Sequence, residues 1–120
     1  MSKKRRNRQN HFRKEICKMM NYEKYIGEKV IIRGDKSGVF FGTLKAKEGQ
    51  EVELTDCRRL WYWDGAASIS QLAVDGTCRP ENCKFTVAVN NIIITDVIEI
   101  LLCSNKAIAS IEGVSTWKRE

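Results

Sequence analysis

Three β-rich runs separated by two turn-forming segments decide the fold of this 120-residue chain. The runs read EKVIIR (28–33), VFFGTL (39–44) and EVELTDCRRLWYW (51–63), and GDKSG (34–38) and KAKEGQ (45–50) lie between them. Glycine, aspartate and serine favour turns, whereas the three runs are rich in β-branched and aromatic residues. The pattern predicts an antiparallel meander of three strands.

Gly42 lies in the middle of the second predicted strand. A glycine inside a strand marks a bend, a bulge or a close approach of another backbone. We therefore expect a strongly bent antiparallel sheet or a partial small barrel.

The second half of the chain is predicted to add two short helices. Residues 66–74 carry apolar side chains at helical spacing, with Ser68 as a cap and Gly76 at the end. A second helix is expected after Ser104, with Gly113 closing it. The chain is therefore predicted to be α+β and rich in β-structure.

Two further strands are predicted between these helices. Residues 85–89 alternate Phe, Val and Val with smaller or polar residues, and residues 92–102 are largely β-branched or leucine. Asn90 and Asn91 are predicted to form the turn between them.

Positive charge is concentrated at the N-terminus. The net charge is +6, with 21 basic and 15 acidic residues; the first 24 residues hold nine basic and two acidic ones, so they carry +7 and the rest −1. We expect residues 1–24 to be a basic, largely disordered arm and residues 25–120 to be one β-rich globular domain.

Such an arm attracts phosphate through counterion release. Its expected nucleic-acid contacts are Lys3, Lys4, Arg5, Arg6, Arg8, Arg13 and Lys14. The alternative is a tail that aids solubility or docks onto an acidic protein surface.

The densest group of potential ligand-binding side chains in the predicted domain consists of Arg58, Arg59, Trp61, Tyr62 and Trp63. Guanidinium groups bind phosphate, and aromatic rings stack on nucleobases. These residues are our candidate ligand-binding site. The alternative is a structural role, with the aromatic residues in a core and an interface and the arginines paired to acids such as Asp56 or Asp64.

Strict alternation places Leu60 and Tyr62 on one face of the third strand and Trp61 and Trp63 on the other. Both faces would then be apolar and need a cover, which the later half of the chain, another subunit or a stacked ligand would supply. We expect a homo-oligomer that buries the second face.

Catalytic and metal chemistry have little support in the sequence. Five cysteines at irregular spacing, without an export signal, indicate reduced thiols, and no metal site or cofactor is expected. His11 is the only histidine, and it lies in the arm, so the domain lacks an imidazole base. We expect a protein that is not an enzyme, and the alternative is a metal-dependent hydrolase that uses scattered carboxylates. The uncharged β-rich run over residues 87–95 is too short to span a bilayer, so no membrane partner is expected.

Two resemblances add to this interpretation. The glycine-bounded segment GVFFGTL (38–44) and the strand that follows resemble the early strands of Sm-like small barrels, which implies an oligomeric barrel that binds RNA or nucleotides. The order of YIGEKV (25–30), GVFFGTL, CRRLWYWDGAASISQLA (57–73) and IIITDVIEILLC (92–103) resembles an uncharacterised family of small phage and prophage proteins. That second resemblance implies a viral origin and expression in a bacterial cytoplasm, without an assigned reaction.

These observations favour a non-enzymatic phage protein that binds RNA or DNA through the basic arm and the Arg-aromatic strand. One alternative is an anti-defence protein that sequesters a host nucleotide signal or a host protein. Another is a structural component of the virion.

Overall fold

The computed structural model describes residues 22–120. The strands in this part of the chain are β1 (Lys29–Gly34), β2 (Val39–Glu48), β3 (Glu51–Tyr62), β4 (Lys84–Phe85), β5 (Val89–Ile94) and β6 (Val97–Leu102). The helices are α1 (Ile69–Asp75) and α2 (Asn105–Glu112), with a 3₁₀ turn at Pro80–Asn82. The predicted β-rich α+β class is confirmed.

The predicted meander is also confirmed, because β2 pairs antiparallel with both β1 and β3. The Gly34 N–H closes the first hairpin by donating to the Gly38 carbonyl at 2.8 Å. The predicted second turn is too long, since residues 45–48 continue β2 and only Gly49 and Gln50 form the turn. Pairing with β3 continues to Glu48↔Glu51, and Lys45 forms an ion pair with Glu53 across the two strands.

The sheet is strongly bent but does not close into a barrel. Its strand order is β6-β1-β2-β3, and β3 pairs along its far edge first with β5 and then with β4. Across a flat sheet, β6 and β5 would lie about 19 Å apart. Because only Thr95 and Asp96 separate them in the chain, the Cα atoms of Ile94 and Val97 are at most about 11 Å apart. The sheet must therefore curl, although β5 and β6 do not pair with each other.

An apolar core lies on each face of the sheet. The inner core, on the concave side, contains Val30, Ile32, Phe40, Leu44, Val52, Leu54, Cys57, Ile94 and Val97. The helix-side core contains Ile31, Phe41, Leu60, Leu72, Ala73, Cys83, Phe85, Ile111 and Val114. Adjacent residues of β1 alternate between the two cores, as the strand period requires.

A bulge opposite Gly42 interrupts that alternation in β3. The pairing register shifts between Phe41 and Thr43, and Asp56 adopts a φ of 50°. A Cβ atom at position 42 would lie 3.0 Å from the Thr55 carbonyl oxygen and 3.1 Å from the Cα of Cys57. Gly42 therefore permits the close backbone approach that the bend requires.

Both predicted helices are present with the expected caps. The Ser68 hydroxyl accepts from the Gln71 N–H at 3.1 Å, and the Ser104 hydroxyl accepts from the Ala107 N–H at 3.0 Å. Gly76 and Gly113 follow the last helical residues. The two helices cover the helix-side core.

The predicted strand over residues 85–89 is wrong at residues 86–88, because Phe85 ends β4 and Val89 begins β5. The Thr86 N–H donates to the Arg59 carbonyl at 3.0 Å, and the Arg59 N–H donates to the Thr86 hydroxyl at 3.0 Å. These two hydrogen bonds replace regular strand pairing at the point where β3 stops pairing with β5 and begins to pair with β4.

The predicted turn at Asn90 and Asn91 is also wrong, because both residues lie inside β5. The Asn91 amide donates to the Glu53 carboxylate at 2.7 Å and so binds the neighbouring strand. The chain turns later, at Thr95 and Asp96. There the Asp96 carboxylate accepts from the N–H groups of Lys36 and Ser37 at 2.8 and 3.0 Å.

Candidate ligand-binding site

Arg58 is the most buried of the candidate residues, with 7% of its surface exposed. Its guanidinium donates to the carbonyls of Thr86 at 3.0 Å, Ile111 at 2.9 Å and Phe85 at 3.2 Å, with a longer contact of 3.5 Å to Ser115. Burial lowers the pKa of this guanidinium from its usual value. Arg58 therefore fastens β4, the end of α2 and the C-terminal segment to β3.

Arg59 lies on the opposite face of β3. Its guanidinium donates to the Ser37 carbonyl at 2.6 Å and stacks 4.4 Å above the ring of Phe40 in the inner core. The structure therefore does not bring the two arginines together. Among residues 22–120, neither forms the expected ion pair with Asp56 or Asp64.

Trp61 and Trp117 form an exposed aromatic pair at the end of β3. Their ring centroids are 6.5 Å apart with 12° between the ring planes, and 64% and 47% of their surfaces are exposed. The Lys84 ammonium lies 5.5 Å from the Trp117 ring centroid. We call these three residues the aromatic platform.

The backbone holds Trp117 in this position. Thr116 forms a parallel bridge with Phe85, and the Trp117 N–H donates to the Phe85 carbonyl at 2.8 Å. The contact of Arg58 with the Ser115 carbonyl lies just before this bridge. The C-terminal segment thus continues the sheet beyond β4 and presents one indole beside another.

The other two aromatic candidates, Tyr62 and Trp63, lie in different environments at the end of β3. Tyr62 is 51% exposed, whereas Trp63 packs against the helix-side core together with Leu60. The prediction that Trp63 shares a face with Trp61 and lies opposite Leu60 is therefore wrong. The strand ends at Tyr62, so strict alternation stops before Trp63.

An open groove of ≈ 510 Å³ adjoins the platform, lined by Thr86, Trp117, Lys118 and Arg119. Together with Lys84, it places three basic side chains near the Trp117 indole. Glu120 is the acidic residue that follows them in the chain. A planar group on the platform would thus have cations close by.

Sequence reasoning assigned no binding role to Lys84 or to Trp117. One signal was available: a tryptophan between a capped helix and a basic terminus has no apolar pattern around it, which favours exposure. Nothing in the sequence indicated that β4 would bring Lys84 to it.

Two of the four thiols in the described residues are shielded enough from solvent to disfavour the thiolate. Burial raises the pKa of the Cys57 and Cys103 thiols to about 12, so both stay protonated at neutral pH. Within residues 22–120, no cluster of three or more His, Cys, Asp or Glu side chains is arranged to hold a metal ion. The arm residues Lys3 to Lys14 and His11 lie outside the described residues.

The fold and the platform define a small β-rich domain with an exposed aromatic and basic surface. The profile of a domain of unknown function, DUF6948, matches residues 27–111, and the chain belongs to this family. The matched segment includes Trp61 and Lys84 and ends before Trp117. No curated protein matches the chain. None of the helices in residues 22–120 is long and apolar enough to cross a bilayer.

Proposed function

We propose that this is a non-enzymatic protein of phage origin that binds single-stranded RNA or DNA in the bacterial cytoplasm. The observation that carries the proposal is the aromatic platform, in which Trp61 and Trp117 expose nearly parallel rings beside the Lys84 ammonium. Bases stack on such rings at about 1 to 3 kcal/mol each, and nearby cations attract phosphate.

The position of Lys84 favours an anionic ligand over a cationic one. Aromatic pairs also bind quaternary ammonium groups, but here an ammonium already lies 5.5 Å from the Trp117 ring. A second cation would meet a like charge. A base with an attached phosphate would gain from both the ring and the lysine.

Single strands fit the platform better than duplexes. The indoles project from a strand edge, and a stacked, paired base does not offer its face to them. The basic arm would add phosphate contacts with little sequence preference. In this proposal Tyr62 belongs to the rim of the site, while Arg58 and Arg59 support it from within.

Fluorescence anisotropy with a labelled 20-nucleotide single strand tests the proposal. Trp61→Ala should weaken binding about 5- to 150-fold, since it removes one stacking surface. Val74→Ala is the matched control, because Val74 is 60% exposed on α1 and lies outside the platform. Equal affinities of the two variants for the single strand would refute the platform as a binding site.

The alternative, capture of a host nucleotide by an anti-defence protein, uses the same surface. A mononucleotide would then compete with the single strand at similar concentration, and removal of residues 1–21 would not change the affinity. Nucleic-acid binding instead predicts weak competition by the mononucleotide and a loss of affinity and salt dependence when the arm is removed. A role in the virion predicts that the protein co-purifies with phage particles.

A further inference from the structure

β5 is an edge strand without the usual protection. Its sequence VNNIII contains no charged residue and no proline, and its pairing with β3 is regular from Val52↔Ile94 to Cys57↔Val89. Within residues 22–120, no backbone group of β5 bonds to any strand or loop other than β3. Natural sheets protect such edges with charges, prolines or bulges, because an open edge pairs with other chains.

β6, the opposite edge of the sheet, shows the contrast. Its pairing with β1 shifts between Arg33 and Gly34, so that Ile98 is left as a bulged residue. Its Glu99 forms an ion pair with Arg33, and the chain after β6 bonds to α1 through the Ser104 N–H and the Ala73 carbonyl. A bulge, a charge and a neighbouring helix therefore all protect β6.

The exposed side chains of β5 are apolar at both ends of the strand. Val89 is 41% and Ile93 60% exposed, and Ile93 shares a face with Asn91 because side chains alternate. If two copies of β5 pair antiparallel about Asn91, Val89 of each copy lies opposite the partner's Ile93. A register centred one residue later would instead place Asn91 opposite the partner's Ile93.

We propose that β5 pairs antiparallel with β5 of a second copy, centred on Asn91, to form a two-fold symmetric dimer with a continuous sheet. The strand complements itself under this symmetry, because Val89 faces the partner's Ile93, Asn91 faces its own copy and no like charges meet. An uncharged strand also offers nothing to select a charged partner peptide.

This interface differs from the oligomer surface expected from the sequence. That expectation rested on an uncovered apolar face from Leu60 to Trp63, but Leu60 and Trp63 pack in the helix-side core of their own chain. Pairing over residues 89–93 alone buries less than a standard interface of roughly 1,600 Å². We therefore expect a dissociation constant in the micromolar range, about 1 to 100 μM.

Sedimentation equilibrium of the full chain tests the dimer, after nuclease treatment and at high salt so that nucleic acid cannot bridge copies. The wild-type protein should dimerise over this concentration range. Ile93→Lys should weaken the dimer at least tenfold, because it places a charge at the paired edge. Ile98→Lys on β6 is the matched control, since Ile98 is also exposed, at 49%, and it should leave the dimer unchanged.

A monomer at about 200 μM would overturn the proposal, as would an assembly that Ile98→Lys disrupts and Ile93→Lys does not. The second result would place β6 in the interface. Urea unfolding of both variants shows whether a lost dimer reflects a lost fold.

Cross-linking tests the register independently. Asn91→Cys, in a Cys78→Ser background, should form an intermolecular disulfide between the two substituted positions, because residue 91 faces its own copy across the two-fold axis. Asn90→Cys is the control, since residue 90 faces the partner's Ile92. Equal cross-linking of the two variants would contradict the proposed register.

Discussion

Arg58 and Trp61 lie three positions apart in β3, yet one side chain is buried and the other is exposed. Arg58 is 7% exposed and binds main-chain carbonyls, whereas Trp61 is 64% exposed and contacts one other ring. An arginine whose donors are satisfied by its own chain has little left for phosphate. An indole with an open face retains its capacity to stack. We therefore expect ligand binding to depend on which donors and ring faces the fold leaves free, more than on residue type.

The two regions are also connected. Arg58 binds the Ile111 and Ser115 carbonyls, just before the bridge that places Trp117, so the buried region holds the exposed one in position. Loss of Arg58 should therefore disturb the platform as well, whereas loss of an exposed indole should leave the buried region intact.

Arg58→Ala should give the largest effect, a loss of about 3 to 5 kcal/mol in the free energy of unfolding. The substitution leaves the carbonyls of Thr86, Phe85 and Ile111 without their charged donor. Arg58→Lys should recover only part of the loss, because an ammonium cannot reproduce the planar fork. Urea denaturation measures both, and a loss below 1 kcal/mol for Arg58→Ala would show that the carbonyls find other donors.

Trp61→Ala and Trp117→Ala should each cost about 1 to 3 kcal/mol in binding a single strand, with little change in unfolding free energy. The double variant should lose less than the sum of the two, because the rings act as one platform. A double-mutant cycle measured by anisotropy gives the coupling. Strict additivity would mean that the indoles bind independently.

Arg59→Ala should lower the unfolding free energy by about 1 to 2 kcal/mol, less than Arg58→Ala. It removes one hydrogen bond to the Ser37 carbonyl and the stacking on Phe40. Affinity for the single strand should stay within about twofold, because Arg59 lies on the inner-core face. A larger loss of affinity would indicate that Arg59 takes part in binding the single strand.

Lys84→Gln should weaken binding only a few-fold at low salt and lower the slope of log affinity against log salt by about one unit. The fold should be unaffected, since Lys84 is exposed. A salt titration of the variant beside the wild type measures the slope. An unchanged slope would indicate that Lys84 does not contact phosphate.

The smallest effect is confined to acidic pH and concerns Asp96. Hydrogen bonds from Ser37 and Lys36 lower the pKa of its carboxyl in the folded state. This group therefore stabilises the fold above its unfolded pKa of about 3.9, and the contribution is lost as pH falls through the lower folded value. Asp96→Asn should flatten the fall of the urea midpoint below about pH 4. A fall in Asp96→Asn as steep as in the wild-type protein would contradict this role.

The sequence predicts local structure well where one signal decides it. The capping serines at 68 and 104 and the glycine-bounded hairpin at 34–38 lie where expected, because caps and turns depend on neighbouring residues. The turn expected at Asn90 and Asn91 failed because the Asn91 amide binds Glu53, 38 positions away in the chain. No local pattern contains that contact.

The candidate site shows the same limit. Trp61 and Tyr62 are exposed as a binding role requires, but Arg58 and Arg59 are engaged by carbonyls of distant segments. Pairing between β4 and the C-terminal segment brings Trp117 and Lys84 together. β4 has only two residues, so no sequence pattern indicates this pairing.

The bulge at Asp56 shifts the alternation of side chains along β3 by one residue. Before it, Val52 and Leu54 face the inner core on even positions; after it, Cys57 and Arg59 face that core on odd ones. If β3 ran through Asp56 without the bulge, strict alternation would exchange the faces of everything from Cys57 to Tyr62. Arg58 would then point away from its carbonyls and Leu60 away from its core. The bulge, more than the identity of the residues that form it, therefore sets the face on which Arg58 and Leu60 lie.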